Sequence, residues 1–170
     1  MFESRPEHIR PDDVASDMGD LANRVRALMD VQQGRSARVL LGGGSCDVVV
    51  TSSGDAARAA VRVMDEVQYD GCGPVIEDPG LLLLYWLVPA GTSTRWTPHP
   101  YGACLGHPHQ VVLPPLGHRE PPGAYWLRPC RGDRLVPPVS LRELLDQFQF
   151  GPVSHERVLA AELTGIPDTA

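Results

Sequence analysis

Cys104, His107 and His109, with His99 a few positions upstream, are the residues of this chain whose types suit a metal ion. Thiolate and imidazole are zinc ligands, and a loop can wrap them around the ion. Pro108 stiffens the segment and the spacing matches no standard zinc module, so a solvent-facing loop is the preferred reading. A zinc site at Cys104/His107/His109 is the alternative. Gly42, Gly43, Gly44 and Ser45 could offer backbone N–H groups to a phosphate. They lack a Gly-Lys-Ser/Thr ending and lead into a strand rather than a helix N-terminus. A hairpin turn that needs positive φ is therefore preferred. Asp47 is a lone acid just beyond that turn, and Ser45 lacks the Gly-x-Ser-x-Gly elbow of a nucleophile. Glu77 and Asp78 are paired acids ahead of Pro79, and a solvated loop tip is favoured over a cleft mouth. Arg95 beside Trp96 is the best exposed cation–aromatic pair for stacking a base, while core packing is the default for the other aromatics.

The elements that must position these residues are set by periodicity. Val14, Met18, Leu21, Val25 and Leu28 recur at helical steps, so residues 12–32 are expected to form an amphipathic helix. Val39–Leu41 and Asp47–Val50 read as two strands joined by the glycine turn. Ser53 suits the cap of a helix over 55–68, with Ala56, Ala60, Val63, Met64 and Val67 on its apolar face. Leu81–Val88 is apolar on both faces and reads as a central strand covered on each side. Residues 91–109 are expected to be an extended loop. Gln110–Leu113 is a further strand, and Ala124–Leu127 its hairpin partner. Ser140 and Glu143 form a capping box that opens a helix to about Phe148, with Leu141, Leu144, Leu145 and Phe148 on one face. A last helix is expected over Ser154–Leu163. The sum is one α/β (α+β) domain over residues 11–164, a mixed sheet flanked by helices, with flexible ends at 1–10 and 165–170.

The chain of 170 residues is large enough to bury a real core. All fifteen basic residues are arginine, the signature of high-GC bacterial coding rather than of a mechanism. The net charge of −6 disfavours nonspecific duplex binding, which needs a clustered basic face. Arg119, Arg128, Arg131, Arg134 and Arg142 are the best local basic stretch, diluted by Glu120, Asp133 and Glu143. The N-terminus does not resemble a signal peptide, and the longest apolar run is too short to span a bilayer. The four cysteines are spread without a Cys-x-x-Cys pair and are expected to be reduced. A cytoplasmic protein without membrane contact is the expectation.

The order of motifs is specific enough to suggest a family. A strand, a glycine turn with Ser45, a strand and a helix come first. Pro79-Gly80 then precedes an aliphatic–aromatic strand, a Gly-rich loop leads into Val111–Pro115, and Gly123–Trp126 closes the series. Over roughly residues 38–128 this resembles the N-terminal domain of bifunctional DNA primase/polymerases, the Prim-Pol domain. In that family the second strand ends in D-x-D, the next carries G-G-x-H, and V-V-x-P-P-S and Y-x-W come later.

The resemblance implies that the two metal-binding acids would fall at Thr51 and Ser53, the nucleotide-contacting histidine at Leu83 and a third acid near His107. Hydroxyls and an alkyl chain do not supply the charge that holds Mg²⁺ or Mn²⁺. The implied protein is a Prim-Pol relative without polymerase chemistry, a regulatory or accessory factor for a protein partner or a nucleotide. The expected ligand-binding set is Gly42, Gly43, Gly44, Ser45, Asp47, Arg95, Trp96, His107 and His109, with no catalytic residue and no cofactor. A single-stranded nucleic-acid module, or a repurposed metal enzyme centred on His107 and His109, are the other readings.

Overall fold

The computed structural model describes residues 27, 29–130, 134–153, 156 and 158. Among them lie the strands β1 (Ala37–Leu40), β2 (Cys46–Ser52), β3 (Val75–Asp78), β4 (Leu83–Pro89), β5 (Ala103–Leu105), β6 (Gln110–Leu113) and β7 (Tyr125–Arg128). The helices are α1 (Asp55–Val67), α2 (Thr92–Arg95) and α3 (Pro138–Phe148). The expected helix over 12–32 falls mostly outside the described residues, of which 27 and 29–32 are helical. The one expected over 154–163 likewise falls outside them, except for helical residues 156 and 158.

The α+β architecture is as expected. Five strands form a sheet in the order β5-β2-β4-β3-β7, and β1 pairs with β6 in a separate ribbon. Among the described residues every ladder is antiparallel, so the sheet is antiparallel rather than mixed. Strand β4 lies at the centre because its residues are apolar on both sides. Leu84, Trp86 and Val88 face a core shared with α1 and α3, while Leu83 and Leu87 face a second core under the ribbon. Each large side chain sealed in this way contributes about 1.5–3 kcal/mol.

Four local expectations change. β1 and β2 are not a hairpin: β1 runs to β6, and β2 to β4 and β5. The turn between them is tight and uses positive φ at Gly42 (84°) and Gly43 (57°), but it carries the chain from ribbon to sheet. β7 pairs with β3 rather than with β6, because Trp126 is buried under the ribbon and its indole N–H reaches Pro114 O at 2.8 Å. The segment 91–109 is more than a loop: it holds α2 and β5. Finally, the paired acids Glu77 and Asp78 belong to β3, and Glu77 is buried rather than at a solvated tip.

Neither expected cap forms. α1 starts after Gly54 with no side-chain cap, so Ser53 does not serve. Its buried face is Ala57, Ala60, Val61 and Met64, which leaves Val67 exposed. α3 starts earlier than the capping box, because Pro138 presets the first helical φ and lacks the N–H that a cap would satisfy. Ser140 instead accepts from Gln68 Nε2 at 3.4 Å, joining α3 to the end of α1. The apolar face Leu141, Leu144 and Leu145 is buried as the pattern requires.

A candidate binding groove

Asp47 shares the helix-facing side of β2 with Val49 and Thr51, as a side-chain period of two dictates. It is fully buried. Its Oδ2 accepts from the backbone N–H of Ser93 at 2.8 Å, and its Oδ1 has no hydrogen-bond partner among the described residues. Gly106 closes over this carboxylate. A Cβ there would lie 2.2 Å from Ser93 Oγ and 3.2 Å from Asp47 Oδ1, so only bare backbone fits. Burial, and then the charge of Asp47, push the Cys104 thiol up to about 12. Asp47 thus anchors α2 from below. Within the turn, Thr92 Oγ1 donates to Pro89 O at 2.6 Å and Thr94 Oγ1 to Gly91 O at 2.7 Å.

Arg95 lies at the end of α2, and Trp96 comes directly after it. The indole N–H of Trp96 donates to Gly102 O at 3.2 Å, and the guanidinium carbon of Arg142 sits 4.8 Å from the ring centroid. Arg142 Nη1 also donates to Thr97 O at 2.8 Å, which leaves most of its donors without a hydrogen-bond partner among the described residues. Gly102 leaves little room beneath the indole, since a Cβ there would lie 2.8 Å from Leu145 Cδ1 and displace the end of that side chain. Arg95, Trp96 and Arg142 line a groove of about 350 Å³, completed by Pro89, Pro138 and Val139. Among the described residues no acid lines it. Arg95 is exposed and bonds to no side chain among the described residues.

A larger cavity of about 750 Å³ lies between the sheet and the ribbon, lined by residues such as Val48, Ile76, Tyr85, Val111 and His118. Among its polar lining residues, Asp78, Tyr85 and His118 are engaged. Asp78 Oδ1 accepts from the N–H groups of Gly80 and Leu81. Tyr85 is hydrogen-bonded to Asp78, and burial raises its pKa further than that bond does. His118 Nε2 meets Pro122 O at 2.8 Å. The smaller groove is the one lined by two guanidinium groups.

The expected site residues divide into two groups. Gly42 and His107 come together, for a Cβ on Gly42 would lie 3.0 Å from His107 Cβ, and His109 O accepts from Leu41 N at 2.9 Å. Ser45 turns inward, its hydroxyl donating to Leu40 O at 2.7 Å, so it closes the turn. Gly43 and Gly44 complete the same turn. Arg95 and Trp96 form the second group, and Asp47 lies beneath the turn that carries them, bonded to Ser93 N. His99 belongs to neither: its Nδ1 accepts from Tyr101 N at 3.0 Å, so its Nε2 carries the proton donated to Asp146 Oδ1 at 2.6 Å. Among the described residues no three His, Cys, Asp or Glu side chains are placed to share a metal.

At the opposite end of β2, Thr51 is fully buried and its hydroxyl accepts from Trp86 Nε1 at 2.9 Å. Leu83 is fully buried and pairs with Ser52. Ser53 is half-buried, and its backbone N–H donates to Leu82 O at 2.9 Å.

One polar cluster has no counterpart among the sequence expectations. Arg58 Nη2 lies 2.9 Å from Glu77 Oε2 and 3.1 Å from Oε1, and the Tyr125 hydroxyl donates to Oε2. The bond and charge of Glu77 raise the Arg58 pKa; burial and then Glu77 raise that of Tyr125. The cluster ties α1 to β3 and β7. Its signal in the sequence is Val75-Ile76 after Gly73-Pro74, a strand start that places Glu77 on the face of Val75. The basic stretch disperses: Arg128 pairs with Asp65 at 2.6 Å, Arg134 with Asp70 at 3.2 Å, and Arg119 Nε donates to Trp126 O at 3.1 Å. Arg131 lies outside the described residues. Among the described residues no helix is long and apolar enough to cross a membrane. Comparison with protein families, with curated proteins and with solved structures finds no match to this chain.

Proposed function

We propose that this chain is a non-catalytic Prim-Pol-like protein, a regulatory or accessory factor that binds a nucleotide or a protein partner through the Arg95–Trp96–Arg142 groove. The observation that carries this reading is the Thr51–Trp86 bond. Where the resemblance would require a metal-binding carboxylate, the side chain is a neutral hydroxyl, sealed from solvent and already engaged by an indole N–H. Leu83, in the place of the nucleotide-contacting histidine, is an alkyl group in the core beneath the ribbon. A two-metal mechanism needs several converging carboxylates, and this donor set offers no charge.

Support for a binding role comes from the groove itself. It joins two guanidinium groups with an indole and an exposed apolar wall, in a protein whose net charge is −6. The pairing of Arg128 and Arg134 with acids weighs against a single-stranded nucleic-acid module. The test is primer extension by the full chain with nucleotides and Mg²⁺ or Mn²⁺, together with anisotropy of labelled single-stranded DNA at low and moderate salt. No extension and no saturable DNA binding at micromolar protein is the expected result. Template-dependent extension would overturn the reading, and salt-sensitive DNA binding would replace it with the nucleic-acid module.

A further inference from the structure

We infer that the groove between α2 and the start of α3 is a site for the phosphate monoester of a small molecule, an inference that rests on the binding role proposed above. Arg95 and Arg142 both line the groove, and among the described residues no acid does. A guanidinium presents a planar fork of donors that matches phosphate oxygens two at a time. Two such groups match the charge of a phosphate monoester, which is close to dianionic at neutral pH. A carboxylate would leave one positive charge uncompensated.

The groove is preorganised for this. Arg142 is held over Trp96 and by Thr97 O, so little side-chain freedom remains to be lost when an anion arrives. Trp96 is held by Gly102 O, and α2, which carries Arg95, is moored to the buried carboxylate of Asp47. That carboxylate lies beneath the turn rather than in the groove, where it would repel the ligand. The volume of about 350 Å³ exceeds what a phosphate needs, and the surplus is bounded by Pro89, Pro138 and the exposed Val139. A compact, partly apolar body therefore accompanies the phosphate. A nucleoside monophosphate and a sugar phosphate share this head group and differ in that body.

The experiment is isothermal titration calorimetry of the full chain with AMP, ribose 5-phosphate, inorganic phosphate and a phosphoserine peptide. The variants are Arg95→Gln, Arg95→Lys and Arg142→Gln, with Arg62→Gln on the exposed side of α1 as the charge control. AMP is expected to bind, with ribose 5-phosphate or inorganic phosphate competing for the same site. Affinity should fall about tenfold to a hundredfold in Arg95→Gln, the range for one lost charge-assisted contact. It should fall less in Arg95→Lys and be unchanged in Arg62→Gln. Arg95 bonds to no described side chain, so its variants fold whatever the outcome for Arg142→Gln. A sugar phosphate binding as tightly as AMP would assign the body to the sugar and keep the phosphate site. Equal affinity in Arg95→Gln and the parent, no heat with any small phosphate, or tighter binding of the phosphopeptide than of AMP would each overturn the inference. Primer extension interrogates the Thr51 end of β2 and calorimetry the Asp47 end, so the two proposals fail separately.

Discussion

Replacing Thr51 with valine tests the premise that its hydroxyl is structural. Valine keeps the branched shape, so the substitution leaves almost no cavity and isolates the hydrogen bond. Its partner, the Trp86 indole N–H, sits 2.9 Å away in a residue with no exposed surface. It would be left buried without an acceptor, at a cost of about 1–3 kcal/mol. With a urea slope of about 2 kcal/mol per molar for a domain of this size, the midpoint should fall by about 0.5–1.5 M at unchanged slope. The assay is urea unfolding followed by circular dichroism, for Thr51→Val, Trp86→Phe and the double variant. Because phenylalanine has no N–H to satisfy, the second change should cost less in the presence of the first, with a coupling of about 1 kcal/mol. Additive losses, or a Thr51→Val midpoint within about 0.2 M of the parent, would refute the reasoning. The hydroxyl would then be available to a ligand, and the argument that this end of β2 is chemically silent would fall with it.

Neighbouring features respond to other perturbations. Gly42→Ala places a Cβ 3.0 Å from His107 Cβ at a φ of 84°, and should lower stability by about 1–2 kcal/mol in the same urea assay; an unchanged midpoint would contradict the turn geometry. Burial pushes the thiols of Cys72 and Cys104 up to about 12. Their reaction with a disulfide reagent near pH 8 should be slower than that of an ordinary thiol by about a thousandfold, and rapid labelling of all four cysteines would count against it. Burial pushes the Asp65 carboxyl up, but the bond to Arg128 and the Cys72 N–H outweigh it, so its pKa is lowered from the ordinary 3.8. The stabilisation is then fully present above that ordinary value and is lost as pH falls through the lowered one. Acid unfolding of Arg128→Met should accordingly lose part of this limb, and identical acid profiles would show that the pair is uncoupled.

The sequence carries the strands better than their partners. Of the expected strand Leu81–Val88, Leu83–Val88 is legible as central because nothing polar interrupts either face, and the two cores that meet there are a consequence. Leu81 and Leu82 instead lie in the preceding turn, Leu82 exposed at a φ of 56°. Pairing is not local information: Val39 and Val111 lie on one ladder only because the ribbon must cover Val48, Val50 and Ile76. Caps fail for a related reason. Ser53 and Ser140 have the right chemistry, but Gly54 and Pro138 fix the backbone first. In the candidate site, Arg95 and Trp96 are legible as an adjacent cation and ring. That Asp47 moors them cannot be read across a gap of more than forty positions, nor that Arg142 arrives from α3. Glu77 is misleading in the sequence because two adjacent acids look solvated until the strand hides one of them.

The ribbon sets the order in which the protein can assemble. β3 and β4 are joined by the short turn 79–82, whereas Leu40 pairs with Gln110, and closing the larger loop carries the higher entropic cost. Pulsed hydrogen exchange during refolding should find the Ile76 and Tyr85 amides protected before those of Val39 and Val111, which form hydrogen-bonded pairs of their ladders; simultaneous protection would exclude this order. On the ribosome the asymmetry is sharper. β1 is synthesised long before β6 exists, so Ala37 and Val39 wait as an unpaired apolar edge until residues 110–113 have emerged. The costliest moment in the life of this fold is therefore its synthesis, when a half-made chain offers other chains the strand that β6 will later cover.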